Sequence, residues 1–359
     1  MKEKLSQFHI TILIYMTQVG IGLLSLPSTL AEYFGTNGWL ALFLVFGISC
    51  LNIFLIHFVY RLGDGKSVLE ILESAIPKFL LTPVYLACAV VWSFIGCMVI
   101  QEYVMLLQMI SFPTTPSYIL KLLIDFFVLM IILKGIYVIG KTSTAFFYLT
   151  IWLVLLEGFV LKEFEFARFT PFLFKGGTDF MKGLLSTYFS FLGYELSIFL
   201  FPYVEKNRKF TRAVLTGNFF SFILYLSVAL VAFGFFSFQE LRNQMYPILD
   251  LFSYIRLPFI ERIENLLFGF LLYLMVSTAA MYYWAALEVS QRIVPRLKRN
   301  VIAFVIVAAM FAVSMQIDVL SDVKKFSALF STIQIGISFG LPTLLLIILL
   351  IKRRSRLHV

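Results

Sequence analysis

The apolar residues of this chain gather into ten long runs, at about 8–33, 38–60, 82–110, 117–134, 142–161, 182–201, 212–236, 262–289, 300–317 and 326–350. A bilayer core is about 30 Å thick, so a spanning helix needs roughly 20 apolar residues. The pattern predicts an all-α integral membrane protein with ten transmembrane helices. The first run is interrupted at Val19-Gly20-Ile21-Gly22-Leu23-Leu24-Ser25-Leu26-Pro27. Two glycines and a proline in mid-membrane release backbone groups that lipid cannot satisfy. Such a break survives only where protein buries it or a cavity faces it. A broken first helix is therefore a pointer to a ligand site.

Run six carries a second break, Phe189-Ser190-Phe191-Leu192-Gly193-Tyr194-Glu195-Leu196, and ends at Pro202. Gly193 follows Gly20 by 173 residues, and Pro202 follows Pro27 by 175. After run two, Ser67-Val68-Leu69-Glu70 has the capping-box pattern and opens a short amphipathic stretch at about 67–78. After run seven comes another, at about 247–256, with Pro247 lying 180 residues beyond Ser67. Glycines in a single run are equally well explained by close helix packing. Two breaks and two surface helices at nearly one offset favour a duplication. Five runs per half is an odd number, so the halves cross the membrane in opposite senses. The expectation is one membrane domain, 1–359. Its first repeat covers about 8–161 and its second about 182–350, a 5+5 inverted repeat with helices 1 and 6 broken and the site between them.

Composition agrees. Apolar residues make up 60% of the chain and charged ones 14%, with a mean hydropathy of +0.93. The Lys2 to Lys4 start faintly resembles a signal peptide, but the run behind it is long and many more follow. The net charge of +9 is read as cytoplasmic Lys and Arg excess rather than as a nucleic-acid surface, because no stretch outside the runs interleaves basic and aromatic residues. With the N-terminus inside, 19 of the 29 Lys and Arg fall on the cytoplasmic segments 2–4, 61–78, 134–141, 206–212, 292–299 and 352–356. Both termini are therefore expected in the cytoplasm. Cys50, Cys88 and Cys97 all lie inside runs and read as small packing residues. His9, His57 and His358 are scattered, and no HExxH occurs. No enzyme, cofactor or metal site is expected.

Unwinding helix 1 exposes N–H groups at the start of its second half, where the helix dipole attracts anions. Gly20 and Gly22 leave room for a carboxylate, with Ile21 between them. The first half-helix ends in carbonyls that suit an ammonium group, so one break offers complementary poles to a zwitterion, with an amino acid as the expected ligand. Leu192 and Gly193 mark the matching break. Thr278 and Tyr282, four apart, share a face of run eight, and Met98 and Glu102 do so in run three. Glu102 and Glu195 are the candidates for a polar passage or for coupling, since acidic residues at such depth face the interior or water. Asp125 and His57 are read as structural. Gly336 and Gly340 form a GxxxG that says little about partners.

These residues also resemble a family. Gly20-Ile21-Gly22 through Leu26-Pro27, Asn37-Gly38-Trp39, Phe191-Leu192-Gly193-Tyr194-Glu195 and Phe259-Ile260-Glu261-Arg262-Ile263-Glu264 look like the B subunit of nutrient germinant receptors of endospore-forming bacteria. That family belongs to the amino acid–polyamine–organocation transporter superfamily. The resemblance runs nearly end to end. It implies a receptor in the inner membrane of the spore that senses a small germinant, often an amino acid, with an A subunit and a lipid-anchored C subunit as partners. Gly20, Gly22, Met98, Leu192, Gly193, Thr278 and Tyr282 match positions around the family's pocket, and Glu102 matches an acidic position facing a polar passage. The alternative is a proton- or sodium-coupled amino-acid symporter of the same superfamily, in which Ser277 and Thr278 would help form a sodium site. A structural scaffold would leave the paired breaks without a purpose.

Overall fold

In lipid each apolar run must satisfy its own backbone, and a helix does so within one segment. The computed structural model describes residues 4–170, 174–205, 209–255 and 263–357. Among those residues it is helical, apart from turns and a single bridge between Leu5 and Val204. Run one folds as two helices, α1 (Gln7–Gln18) and α2 (Gly22–Phe34), bent by 59° where they meet. A 3₁₀ turn at Gly38–Leu40 leads into α3 (Ala41–Leu62), then the short α4 (Val68–Glu73), the long α5 (Lys78–Ile110) and α6 (Ser117–Leu133). Next, α7 (Ile136–Thr150) continues through a 3₁₀ stretch into the single turn α8 (Glu157–Val160).

Run six opens as α9 (Phe180–Phe191), stops at Leu192–Gly193 and resumes as a 3₁₀ helix over Tyr194–Tyr203. Then come α10 (Lys209–Phe235), two short helices α11 (Phe238–Asn243) and α12 (Pro247–Ser253), and the three helices α13 (Ile263–Ile293), α14 (Arg299–Ser314) and α15 (Leu320–Leu357).

Among the described residues seven helices are long and apolar enough to cross a bilayer, or eight with the bent α1–α2 pair as one span. The expected ten are not all met by length. At 1.5 Å per residue the 16 residues of α14 reach only about 24 Å, and the 17-residue α6 is barely longer.

The two surface stretches are shorter than expected. Ser67 is the N-cap of α4, but its side chain makes no capping bond, and α4 stops at Glu73 because Pro77 already caps α5. The apolar face of α4, Val68, Leu69, Ile71 and Leu72, is buried by the chain's own bundle rather than kept for a partner. Arg292 pairs with Glu73 at 3.3 Å, and the Lys352 ammonium donates to the Ser74 carbonyl at 2.8 Å. Likewise α12 buries Ile248, Leu249, Leu251 and Phe252 among α2, α10 and α13. Residue 256, residues 259–262 of the Phe259–Glu264 motif, Lys2, Lys206, Arg208 and His358 lie outside the described residues.

At the centre α5 lies along α13, and α1 is surrounded by α7, α10 and α13. The start of run one lies beside the end of run six, Leu5 N donating to Tyr203 O at 2.9 Å, while α2 packs on α9. The two broken runs are thus antiparallel neighbours.

Candidate ligand site at the paired helix breaks

The break in run one comes from lost donors and acceptors. The chain leaves α1 with Val19 in an extended conformation, and α2 restarts with Leu23 N donating to Gly20 O and Leu24 N to Ile21 O. Among the described residues the N–H groups of Gly20, Ile21 and Gly22 have no hydrogen-bond partner, as the first turn of any helix requires. They stand at the positive end of the α2 dipole.

The break in run six depends on Gly193, whose φ of +123° is a conformation that side-chain-bearing residues rarely adopt. A Cβ there would also come within 2.9 Å of the Thr17 methyl. At Gly22 the constraint is space, since a Cβ would stand 3.3 Å from Ser190 Oγ across the gap between the two breaks.

A cavity of about 500 Å³ opens at this junction. Gly20, Ile21, Gly22, Leu192, Thr278, Tyr282 and Glu102 line it. Met98, Gly193 and Glu195 lie outside its lining. From α5 the lining residues are Ile95, Val99 and Glu102, so the stripe that reaches the cavity is one position round from Met98, which is buried in the core. Gly193 is packed on Thr17. Glu195 is held below the cavity: its carboxylate accepts from Gln334 Nε2 at 2.7 Å, Gly193 N at 2.6 Å and Tyr282 Oη at 3.1 Å, and Trp92 Nε1 in turn donates to Gln334 Oε1 at 2.8 Å. Glu195 thereby holds the Gly193 N–H where the 3₁₀ helix begins, a structural contact for an acid that the sequence offered for a polar passage or for coupling.

The carbonyls freed at the end of α1 are already engaged. Thr278 Oγ1 lies 3.1 Å from the Thr17 and Leu274 carbonyls and 3.3 Å from that of Met16. The Tyr225 hydroxyl lies 2.8 Å from Gln18 O and 2.6 Å from Ser190 O, so its one proton serves both broken ends. The Gln18 side chain donates to Phe191 O at 2.7 Å and to Asn218 Oδ1 at 2.8 Å, and accepts from Ser221 Oγ at 2.9 Å. Helix α10 therefore bolts the two breaks together through Asn218, Ser221 and Tyr225.

At the other end of the cavity stand Glu32, Arg242, Gln244 and Lys324. Tyr246 makes a long 3.4 Å hydrogen bond to Glu102, and the Lys324 ammonium sits 4.6 Å from the centre of the Tyr246 ring. Burial and the neighbouring Glu102 carboxylate hold the Tyr246 phenol well above its ordinary range, so it stays a donor. Two serine pairs at i, i+4 spacing, Ser186 with Ser190 on α9 and Ser327 with Ser331 on α15, add hydroxyls to the lining.

Residues 4–321 match the model of the spore germination protein (spore permease) family. The chain belongs to that family. It is 25% identical to spore germination protein GerQB of Bacillus cereus over 78% of each chain. It is 27% identical to spore germination protein A2 of Bacillus subtilis, covering 98% of this chain and 97% of that one. Among solved structures it resembles MhsT in complex with L-phenylalanine, with a TM-score of 0.64 at 14% identity over 97% of this chain and 89% of that one. It also resembles Mhp1, a nucleobase-cation-symport-1 family transporter closed around bromovinylhydantoin, with a TM-score of 0.62 at 10% identity, covering 90% and 75%. Identities this low establish the fold alone. Together these findings make the chain a multi-pass, permease-like germination protein with a transporter fold.

Sequence reading passed over several members of the site. Gln18 and Tyr225 carried no signal beyond being polar residues in apolar runs. The serine pairs had one, their four-residue spacing, and Lys324 had another, a cation at the start of an apolar run. Asp125 and His57 stay outside the site. Asp125 is buried in an ion pair with Lys121 at 2.8 Å, and His57 Nδ1 lies 2.7 Å from Thr211 Oγ1. Gly336 and Gly340 sit where an added Cβ would meet nothing within 4 Å, so their GxxxG closes onto no helix among the described residues. Among the described residues no three His, Cys, Asp or Glu side chains come together as a metal site.

Proposed function

We propose that this protein is the B-type membrane subunit of a spore nutrient-germinant receptor, and that it binds a small zwitterionic germinant, an amino acid, in the cavity between the two breaks. The observation that carries this reading is the pairing of unpartnered N–H groups at Gly20, Ile21 and Gly22 with a cavity of about 500 Å³, a volume within the usual range for small-molecule sites. The ligand carboxylate docks on those N–H groups at the head of α2. Its ammonium uses the lone pairs of the Gln18 and Ser190 carbonyls that the single Tyr225 proton leaves open. Thr278 and Tyr282 wall the pocket, while Leu192 and Gly193 shape the second break. Met98, Gly193 and Glu195 act from behind the lining, and Glu102 with Lys324 and Tyr246 closes its polar end.

The antiparallel packing of the two broken runs supports a 5+5 inverted repeat. The Lys and Arg distribution favours both termini in the cytoplasm, and membership of the spore germination family favours the inner membrane of the spore. It works there with an A and a C subunit and performs no enzymatic step. Ligand binding needs only to favour one of two conformations that these partners distinguish. The symporter alternative gains less support. The Thr278 hydroxyl already lies within hydrogen-bond distance of the Met16 and Thr17 carbonyls that a sodium ion would require, and Ser277 donates to Tyr273 O at 2.9 Å.

The test is purified protein in liposomes with labelled amino acids under an imposed ion gradient. Saturable binding without concentrative uptake is expected, and concentrative uptake would instead make it a symporter. In Gly22→Val the branched side chain enters the gap to Ser190, and binding is expected to be lost while the protein still inserts. Undiminished binding in that variant would rule out this site.

A further inference from the structure

A second site lies away from this cavity, where α7 stops being a regular helix. After Thr150 the chain tightens into a 3₁₀ stretch over Ile151–Leu156, makes the single α turn Glu157–Val160, and tightens again over Leu161–Glu163. The whole length Ile136–Glu163 is apolar enough to span a bilayer. Glu157 stands in this segment with 8% of its surface exposed. Its one side-chain partner among the described residues is Ser227 on α10, with Oγ 3.5 Å from Oε1. That hydroxyl has a nearer acceptor, the Leu224 carbonyl at 2.9 Å. Among the described residues no cation pairs with Glu157. An unpaired carboxylate in apolar surroundings is costly, and an acid at membrane depth is a functional candidate by default.

Two hollows meet at this carboxylate. The outer one, about 490 Å³, is an open groove between α8 and α10, walled by Leu155, Gly158, Leu161, Phe164 and Leu230. Leu155 is 75% exposed, as expected of a side chain facing lipid tails. The inner one, about 50 Å³, lies against the back of the break in run one, where Val19, Leu23 and Leu24 line it. Glu157 and Val154 line both.

We infer that the outer groove binds an amphipathic amine from the lipid phase, with its ammonium on the Glu157 carboxylate and its alkyl chain along Leu155, Leu161 and Leu230. The groove selects by charge and by grease together. An anion is repelled by Glu157, a neutral alkane leaves the carboxylate unpaired, and a small hydrophilic ammonium gains nothing from the leucines. The ammonium belongs either to a free alkylamine or to the headgroup of an aminophospholipid, which present the same chemistry. From this groove an occupant acts on the α1–α2 break through one shared carboxylate, independently of any ligand in the larger cavity.

The experiment measures binding of tritiated decylamine to the purified protein in phosphatidylcholine nanodiscs, with empty nanodiscs as background. Saturable binding is expected, competed by unlabelled decylamine and not by decanol, and weakened at least tenfold in Glu157→Gln. A second variant guards against a folding failure. A Cβ on Gly158 would meet nothing within 4 Å, so Gly158→Leu fills the groove without moving backbone and is also expected to lose binding at least tenfold. Absence of saturable binding, equal binding in Glu157→Gln when that variant folds, or retained binding in Gly158→Leu would each overturn the site. Nanodiscs containing phosphatidylethanolamine separate the sources. Reduced decylamine binding there assigns the groove to the lipid headgroup, and unchanged binding assigns it to the free amine.

Discussion

Gly193 and Gly20 look alike in the sequence, each a glycine in a broken apolar run, yet they carry different loads. Gly193 sits at φ +123° with Thr17 pressed against it, whereas a Cβ on Gly20 would find its nearest neighbours at 3.9 Å. Gly193→Ala should therefore cost about 1–3 kcal/mol, the range for a side chain forced into a sparsely populated backbone conformation. Gly20→Ala should change stability little. Thermal unfolding of the two variants in detergent, followed by tryptophan fluorescence, separates them; equal midpoints would contradict the assigned roles. Glu195 makes a related point. Its depth marked it as functional, but depth does not say whether an acid is free or satisfied. Three donors from Gly193, Tyr282 and Gln334 answer that, and the last two depend on how distant segments pack.

Between elements, a single hydroxyl spans the two breaks. Tyr225 reaches Gln18 O and Ser190 O from α10. Tyr225→Phe removes it without changing the packed ring, and a loss of about 1 kcal/mol is expected, the usual net value of one such bond. The same variant should weaken ligand binding, because the breaks are then free to separate. Wild-type affinity in Tyr225→Phe would show that α10 does not set their spacing. The Arg292–Glu73 pair that ties α4 to α13 is a contrasting case, being partly exposed with Arg292 at 37%. Arg292→Ala should cost under about 1 kcal/mol, measured by the same unfolding assay. The apolar faces of α4 and α12 were legible as amphipathic stretches, but amphipathicity does not name what covers the face. Here the chain's own bundle does so.

For the whole molecule, the proposed topology puts Lys352 and Gln244 on opposite sides of the membrane. With cysteine placed at each in turn, an impermeant maleimide added to sealed, oriented vesicles should label only one of them. Labelling of both from one side would refute the inverted arrangement. The transporter-like fold was readable because its causes are local: run length, the glycine-proline interruptions and the similar offsets between paired features all lie along the chain. The span count was less so, since α6 and α14 fall short of a bilayer when measured as helices.

By itself the sequence determined that the chain lives in lipid, that runs one and six are interrupted, and that Thr278 shares a helix face with Tyr282 and Met98 with Glu102. Periodicity and backbone chemistry suffice for that, because an apolar run has no choice but to be helical and a glycine-proline break has no choice but to interrupt it. Only the tertiary structure decided which face of α5 meets the cavity, passing over Met98 for Val99. It also decided that Thr278 and Tyr225 cover the freed carbonyls and that Glu157 has no cation partner among the described residues. These are facts about pairs of groups brought together from distant parts of the chain, and a one-dimensional pattern fixes the face of a helix without fixing its neighbour.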